Sequence, residues 1–338
     1  VKTAVLIDPR YREHDPGPHH PERPERIEAV EAMLHDWRGT PIERVRPRLA
    51  SEEEILAVHA APLVETVRAT EGRAHVAIDP DTHTSARSFE TALLAAGGVI
   101  ELAGLVARRD VHNGFAFVRP PGHHATRAQS MGFCLFNNAA AAAAFLRREH
   151  GLERVAIVDW DLHHGNGTEA IFYEDPGVLY ASLHQYPFYP GTGAATDLGR
   201  GDGTGFNVNV PFSAGVGDLG YALAFQEVLE PVLRQFEPQF VIVSAGFDCH
   251  HRDPLGGMEV TEEGFRAMAR SLLSVARDCS GGRLLAILEG GYDLDAIAGS
   301  SRAVLEELCR PDPPPAEMLG PAHLFERLKG ILAPHWRL

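Results

Sequence analysis

A chain of 338 residues, 44% hydrophobic and 23% charged, is long enough for one large α/β domain and has the composition of an ordinary globular protein. Its 31 Lys and Arg against 46 Asp and Glu leave a net charge of −15, which speaks against direct duplex binding, since that needs a basic face. No apolar run is expected to reach membrane-spanning length, and Val1–Asp8 lacks the lead and cleavage pattern of a signal peptide, so a cytoplasmic chain without membrane contact is expected.

In chain order, a strand is predicted at Thr3–Ile7, then helices at Pro24–Leu34 and Phe89–Arg108. A strand at Gly114–Val118, a helix at Asn137–His150 and strands at Arg154–Val158 and Gly177–Ser182 follow. Beyond them come a helix at Gly220–Gln235, a strand at Gln239–Ser244, a helix at Thr261–Arg277 and a strand at Arg283–Leu288. One domain is expected over residues 1–310. Pro311–Pro315 reads as a linker or rigid turn leading to a short helix around Leu324–Leu332 that packs on the same domain. Cys134, Cys249, Cys279 and Cys309 form no close pair, which argues against a structural zinc site or a disulfide framework.

The strands are short and continuously apolar, the pattern of a parallel sheet covered by helices on both faces. In such sheets, sites form beyond the carboxyl ends of the strands. Four strands here deliver polar clusters to that rim. After Arg154–Val158 comes Asp159-Trp160-Asp161-Leu162-His163-His164-Gly165-Asn166. If this segment is extended, Asp161 and His163 project to one side, and an oxygen and a nitrogen donor together suit zinc. Asp159 shares their parity. A helix-capping turn is the bland alternative, but it does not explain so dense a run of Asp and His. Asp248 follows Gln239–Ser244 and is a natural third ligand; two Asp and one His leave a position open for water. Alone, it would more often cap a helix. Arg119-Pro120-Pro121-Gly122-His123-His124 sets two imidazoles on a rigid backbone, where a neutral His can serve as a base. Solvated loop histidines are an even alternative, since His19-His20 and His250-His251 are also adjacent pairs. In Glu289-Gly290-Gly291-Tyr292-Asp293 the glycines permit a turn, and the tyrosine can donate to an oxyanion or simply pack.

These four motifs, in this order from about Asp8 to about Glu306, resemble the histone deacetylase superfamily, its class II branch above all, together with bacterial acetylpolyamine amidohydrolases. The resemblance implies an arginase-like α/β fold with eight mostly parallel strands. It implies Zn2+ bound by Asp161, His163 and Asp248, with His124 as general base and acid, His123 as its electrostatic partner and Tyr292 as carbonyl-polarising donor. By family position His123 pairs with Asp159 and His124 with Asn166. Phe133, beside Gly132, matches a tunnel wall, and Tyr189 stands where the second wall phenylalanine is usual. Gly290 and Leu255 would line the same tunnel, and Arg26 a product channel. Asp81 would lie on a loop over the entrance, although Asp79-Pro80-Asp81 also reads as a solvated turn. A structural K+ near Asp159, Asp161, His163, Ser182 and Leu183 is implied as well.

The substrates implied are acylated lysines in proteins or peptides, or acetylated polyamines. Asp253-Pro254 is followed by Leu255 where the polyamine-selective eukaryotic branch has an acidic gatekeeper, which favours lysine. A catalytically silent acyl-lysine binding protein would not need Tyr292 and a full ligand set. An arginase-like two-metal hydrolase would want an acidic group two residues after Asp248, where the chain has His250. A homo-oligomer is compatible with the sequence.

Overall fold

The computed structural model describes residues 1–310 and 323–338. Its main sheet has the order β2 (Glu43–Val45), β1 (Thr3–Leu6), β5 (Asn113–Ala116), β10 (Leu284–Leu288), β9 (Phe240–Ala245), β6 (Val155–Asp159), β7 (Val178–Gln185) and β8 (Asn207–Phe212). Every pairing in it is parallel. Helices α4 (Ser88–Ala107) and α5 (Asn138–His150) pack as one layer; α1 (Glu25–His35), α9 (Glu262–Ser280) and α10 (Leu294–Leu308) form another. The central strands β10, β9 and β6 read LLAIL, FVIVSA and VAIVD and are buried throughout, because helices cover both faces. Their register is level: Asp159 pairs with Ser244 and with Ser182, and Leu288 with Ala245. The loops that leave these strands therefore start at one height, which is what brings their polar residues together.

Several elements depart from the sequence expectation. β2 is a three-residue edge strand, mostly exposed, and too short and polar to carry a pattern. β8 alternates Asn and Val and ends near Pro211; proline is tolerated there because the strand is an edge. A small antiparallel hairpin, β3 (Val76–Ala77) with β4 (His83–Thr84), stands apart from the sheet. Helices α2 (Glu52–Leu56), α3 (Ala61–Arg68), α6 (Asn166–Phe172) and α10 were not anticipated. The single helix expected at Gly220–Gln235 is α7 (Asp218–Ala224) and α8 (Glu230–Phe236) joined by a π-helical turn at Phe225–Leu229. Pro231 cannot donate a backbone hydrogen bond to that turn, which accounts for the widened spacing.

One expectation about membranes is corrected. Ser88–Ala107 is long and apolar enough by composition to cross a bilayer, but it is mostly buried within the domain, as a core helix between sheet and neighbours is. At the other end, Leu328 and Leu332 of α11 (Glu326–Leu332) join the sheet's own apolar core, as does Trp336. The linker expected at Pro311–Pro315 lies outside the described residues.

Candidate active site

Asp161, His163 and Asp248 converge beyond the ends of β6 and β9, each offering a ligand atom within 4.8 Å of the others. His163 Nδ1 lies 3.0 Å from Asp248 Oδ2 and 3.2 Å from Asp161 Oδ1. Ligand atoms placed tetrahedrally at zinc–ligand lengths of about 2.0–2.2 Å stand roughly 3.3 Å apart, so the spacing fits. Among the described residues this is the one group of three such donors. The route to convergence differs from the extended segment expected. The chain bends at residues 161–163, and Asp161 Oδ1 accepts the N–H of His163 at 2.9 Å, which turns the two side chains toward one another. Main-chain donors then pin the carboxylates: Leu162 N donates to Asp248 Oδ1 at 2.8 Å, and Gly290 N to Asp161 Oδ2 at 2.8 Å. A Cβ on Gly290 would lie 2.3 Å from Asp248 Oδ2 and 2.6 Å from Asp161 Oδ2, so the residue must be glycine for the loop to reach the ligands.

The charges of the three groups are mutually set. Burial raises the Asp161 pKa, but the positive charges of His123 and His163 outweigh it and hold the carboxyl well below its usual range. Burial, joined by the charge of Asp161, pushes Asp248 up to about 7. Burial also opposes charge on His163, yet hydrogen bonds to Asp161 and Asp248 lift it to about 9. Two buried carboxylates that can stay charged only with positive charge nearby form a donor set suited to a divalent cation.

The adjacent histidines sit against this group with ring centroids 4.0 Å apart, both almost fully buried. His123 Nδ1 donates to Asp159 Oδ2 at 3.0 Å, and His124 Nδ1 to Asn166 Oδ1 at 2.8 Å. Burial works against a charged His123, but the carboxylates of Asp161 and Asp159 overcome it and raise its pKa well above normal. His124 goes the other way: burial, then the charges of His123 and His163, drive its pKa well below 6.5. Asp159 itself is held by Tyr180 Oη at 3.0 Å and accepts the Asp161 N–H at 3.1 Å. Ser182, opposite it on β7, and the next residue, Leu183, are fully buried at the same level.

Tyr292 stands on the loop after β10, its ring edge-on to Phe133 at 5.9 Å and under the Arg26 guanidinium at 5.1 Å. Burial and the charge of Asp248 push its pKa well above 10, so the hydroxyl keeps its proton. Tyr189 lies edge-on 5.2 Å from His124 and 6.0 Å from His163. Phe188, not singled out in the sequence, stacks on His163 at 5.6 Å. Leu255 is half-buried on the Asp253–Leu255 turn. Gly132 and Phe133 both have left-handed backbone, with φ of 57° and 68°. Asp81 is tied to the Gly132–Phe133 segment: its Oδ1 accepts the Gly132 N–H at 3.0 Å, and Thr82 Oγ1 accepts that of Phe133 at 3.1 Å. The hairpin between β3 and β4 thereby holds one wall of the site.

Behind the site lies a buried ionic cluster. Arg26 donates to the carbonyls of Glu289 and Gly291 at 2.5 and 2.6 Å and to Glu22 Oε1 at 2.7 Å. Arg119 grips Glu22 with two contacts of 2.5 and 2.8 Å. Glu289, pushed up to about 7 by burial, accepts the N–H groups of Gly122 and His123 and joins β10 to the histidine loop. Glu22 and Glu289 carried no assigned role from sequence. The i, i+4 spacing of Glu22 and Arg26 beside Pro21 and Pro24 was the available signal. His250 stacks on Phe265 and faces Glu262, outside the triad.

Known proteins resemble this chain over most of its length. A family model described as histone deacetylase domain matches residues 20–308. A protein of Archaeoglobus fulgidus named "Probable deacetylase" is 41% identical over 87% of this chain and 82% of its own length. "Histone deacetylase 15" of Arabidopsis thaliana is 44% identical over 92% of this chain. "Histone deacetylase 4" of Caenorhabditis elegans is 48% identical over 69% of it. The chain spans only 57% and 27% of the length of these last two proteins. The crystal structure of the HDA15 HD domain aligns with a TM-score of 0.91 at 41% identity, covering 99% of this chain and 95% of that one. The chain belongs to the histone deacetylase family, and its chemistry is that of a deacetylase.

Proposed function

We propose that the chain hydrolyses the side-chain amide of acyl-lysine in proteins or peptides, releasing acetate or another carboxylate, with one zinc ion held by Asp161, His163 and Asp248. The observation that carries this reading is the meeting of those three donors with two histidines of opposite charge preference. Bound there, zinc supplies Lewis acidity toward the amide carbonyl and a more acidic water. The protein's own groups do the rest. His124, neutral and with its Nδ1 proton given to Asn166, has Nε2 free to take the proton of the attacking water. His123, kept charged by Asp159 and Asp161, opposes charge on His124 until that transfer. Tyr292 donates its hydroxyl to the developing oxyanion. His124 then returns the proton to the leaving amine. Phe133, Tyr189 and Leu255 offer apolar contact to the methylene stem of a lysine. A structural potassium ion would suit the buried oxygens around Asp159, Asp161 and Ser182, next to His163 and Leu183.

Leu255 supports lysine over polyamine. A second cation in a narrow tunnel loses hydration and needs a carboxylate at its depth, and Leu255 offers none. The test is kcat/KM on acetyl-lysine peptides, acetylspermidine and acetylputrescine at physiological ionic strength, where screening acts over about 8 Å and the diffuse field of the −15 charge is damped. Peptides are expected to be preferred, and Leu255→Glu to move the ratio toward the polyamines. Preference of the native chain for polyamines would replace the lysine assignment; absence of any acetate release would leave a binding protein.

A further inference from the structure

Asp253 belongs to neither the donor triad nor the histidine loop, yet its carboxylate joins the two loops that flank them. It is 7% exposed. Its Oδ1 accepts the N–H of Leu255 at 2.9 Å, and its Oδ2 those of Tyr292 at 2.6 Å and Asp293 at 3.4 Å. The first loop follows β9 and carries Asp248 and Leu255; the second follows β10 and carries Tyr292. The second loop has little regular structure of its own. Gly291 has φ 118°, a conformation closed to other residues, and helical hydrogen bonding resumes only where Asp293 caps α10. The loop backbone is gripped from two sides, the carbonyls of Glu289 and Gly291 by Arg26 and the N–H of Tyr292 by Asp253. Both oxygens of Asp253 face N–H donors, so both must accept, which a carboxylate allows and an amide, with its NH2, does not.

We infer that Asp253 is a positioning residue that aims Tyr292 and, through the same carboxylate, fixes the backbone at Leu255. The inference rests on the reading of Tyr292 as oxyanion donor, and the experiment separates the two. Turnover is compared for the native chain, Asp253→Asn, Tyr292→Phe and the double variant, all loaded with zinc. A misplacement of about 1 Å can cost about 100-fold, so Asp253→Asn is expected to lower kcat by roughly 10- to 100-fold. In the Tyr292→Phe background the same change should cost less than about 3-fold, because residues acting as one unit are not additive. The lysine-to-polyamine ratio of Asp253→Asn should also move, through Leu255. Undiminished kcat in Asp253→Asn, or multiplicative losses in the double variant, overturns the positioning role while leaving Tyr292 its own. Near-normal turnover of Tyr292→Phe removes the reading of Tyr292 and the inference with it. Amide hydrogen exchange on the native protein gives a check that needs no variant to fold. The Leu255 and Tyr292 amides should be protected together, and rapid exchange at either contradicts the anchor.

Discussion

His124 donates its Nδ1 proton to the side-chain oxygen of Asn166 at 2.8 Å. An amide oxygen only accepts, so this contact selects the tautomer whose Nε2 carries a lone pair. A neutral partner also adds little to the stability of an imidazolium, whereas His123, bonded to Asp159 at 3.0 Å, gains a full charge interaction. The two acceptors thus reinforce a separation in charge that burial, Asp161 and the neighbouring imidazoles already impose.

Asn166→Asp should narrow that separation. A carboxylate beside His124 favours its charged form, so the pKa of the base rises, and the acidic limb of kcat/KM should move to higher pH by roughly one unit or more. A pH–rate profile on an acetyl-lysine peptide measures it. A limb that stays in place, or moves toward acid, is incompatible with His124 as the base.

Tyr292→Phe keeps the ring under Arg26 and against Phe133 but removes the donor. Turnover should fall by about 100- to 1000-fold, the usual cost of one oxyanion donor, with zinc content and melting temperature retained. Burial and the charge of Asp248 keep the hydroxyl protonated, so the loss should persist unchanged across neutral and mildly alkaline pH.

Glu22 gives a stability prediction. Burial raises its pKa, but the positive charges of Arg119 and Arg26 and the hydrogen bond from His14 hold it well below the ordinary 4.5. A group depressed in the folded state stabilises the fold above its unfolded pKa, and that contribution is lost as pH falls through the folded value. Glu22→Gln leaves two buried guanidinium groups short of their partner and should cost about 3–5 kcal/mol at neutral pH. In denaturant unfolding at a series of pH values, the gap between native and variant should narrow below about pH 4.5. A gap that widens toward acid would place the ion pair's effect elsewhere.

The distribution of what could be read from the chain follows from how local each signal is. The central strands are continuous apolar runs, and each motif lies within a few residues of one strand end, so Asp161, His163 and Asp248 were visible before their meeting was. Their convergence needed the level register of β6, β9 and β10, which no single segment encodes. β2 and β8 escaped because edge strands lack the buried pattern, and α10 because its Gly299-Ser300-Ser301 stretch weakens the helical signal that the Asp293 cap would have announced. Asp253, Thr82 and Glu289 act on main-chain groups 39 to 167 positions away. Such contacts leave no spacing to detect.

We propose that one metal ion, held by Asp161, His163 and Asp248, makes the chain an acyl-lysine hydrolase. Zinc titrated into chelator-stripped protein, with acetate release from an acetyl-lysine peptide followed at each addition, tests it most directly. Release should be nil at the start, rise linearly until one zinc is bound per chain, and fail to rise in an Asp248→Asn variant at the same zinc levels. Release that is full without metal, or that needs two ions per chain, would contradict it.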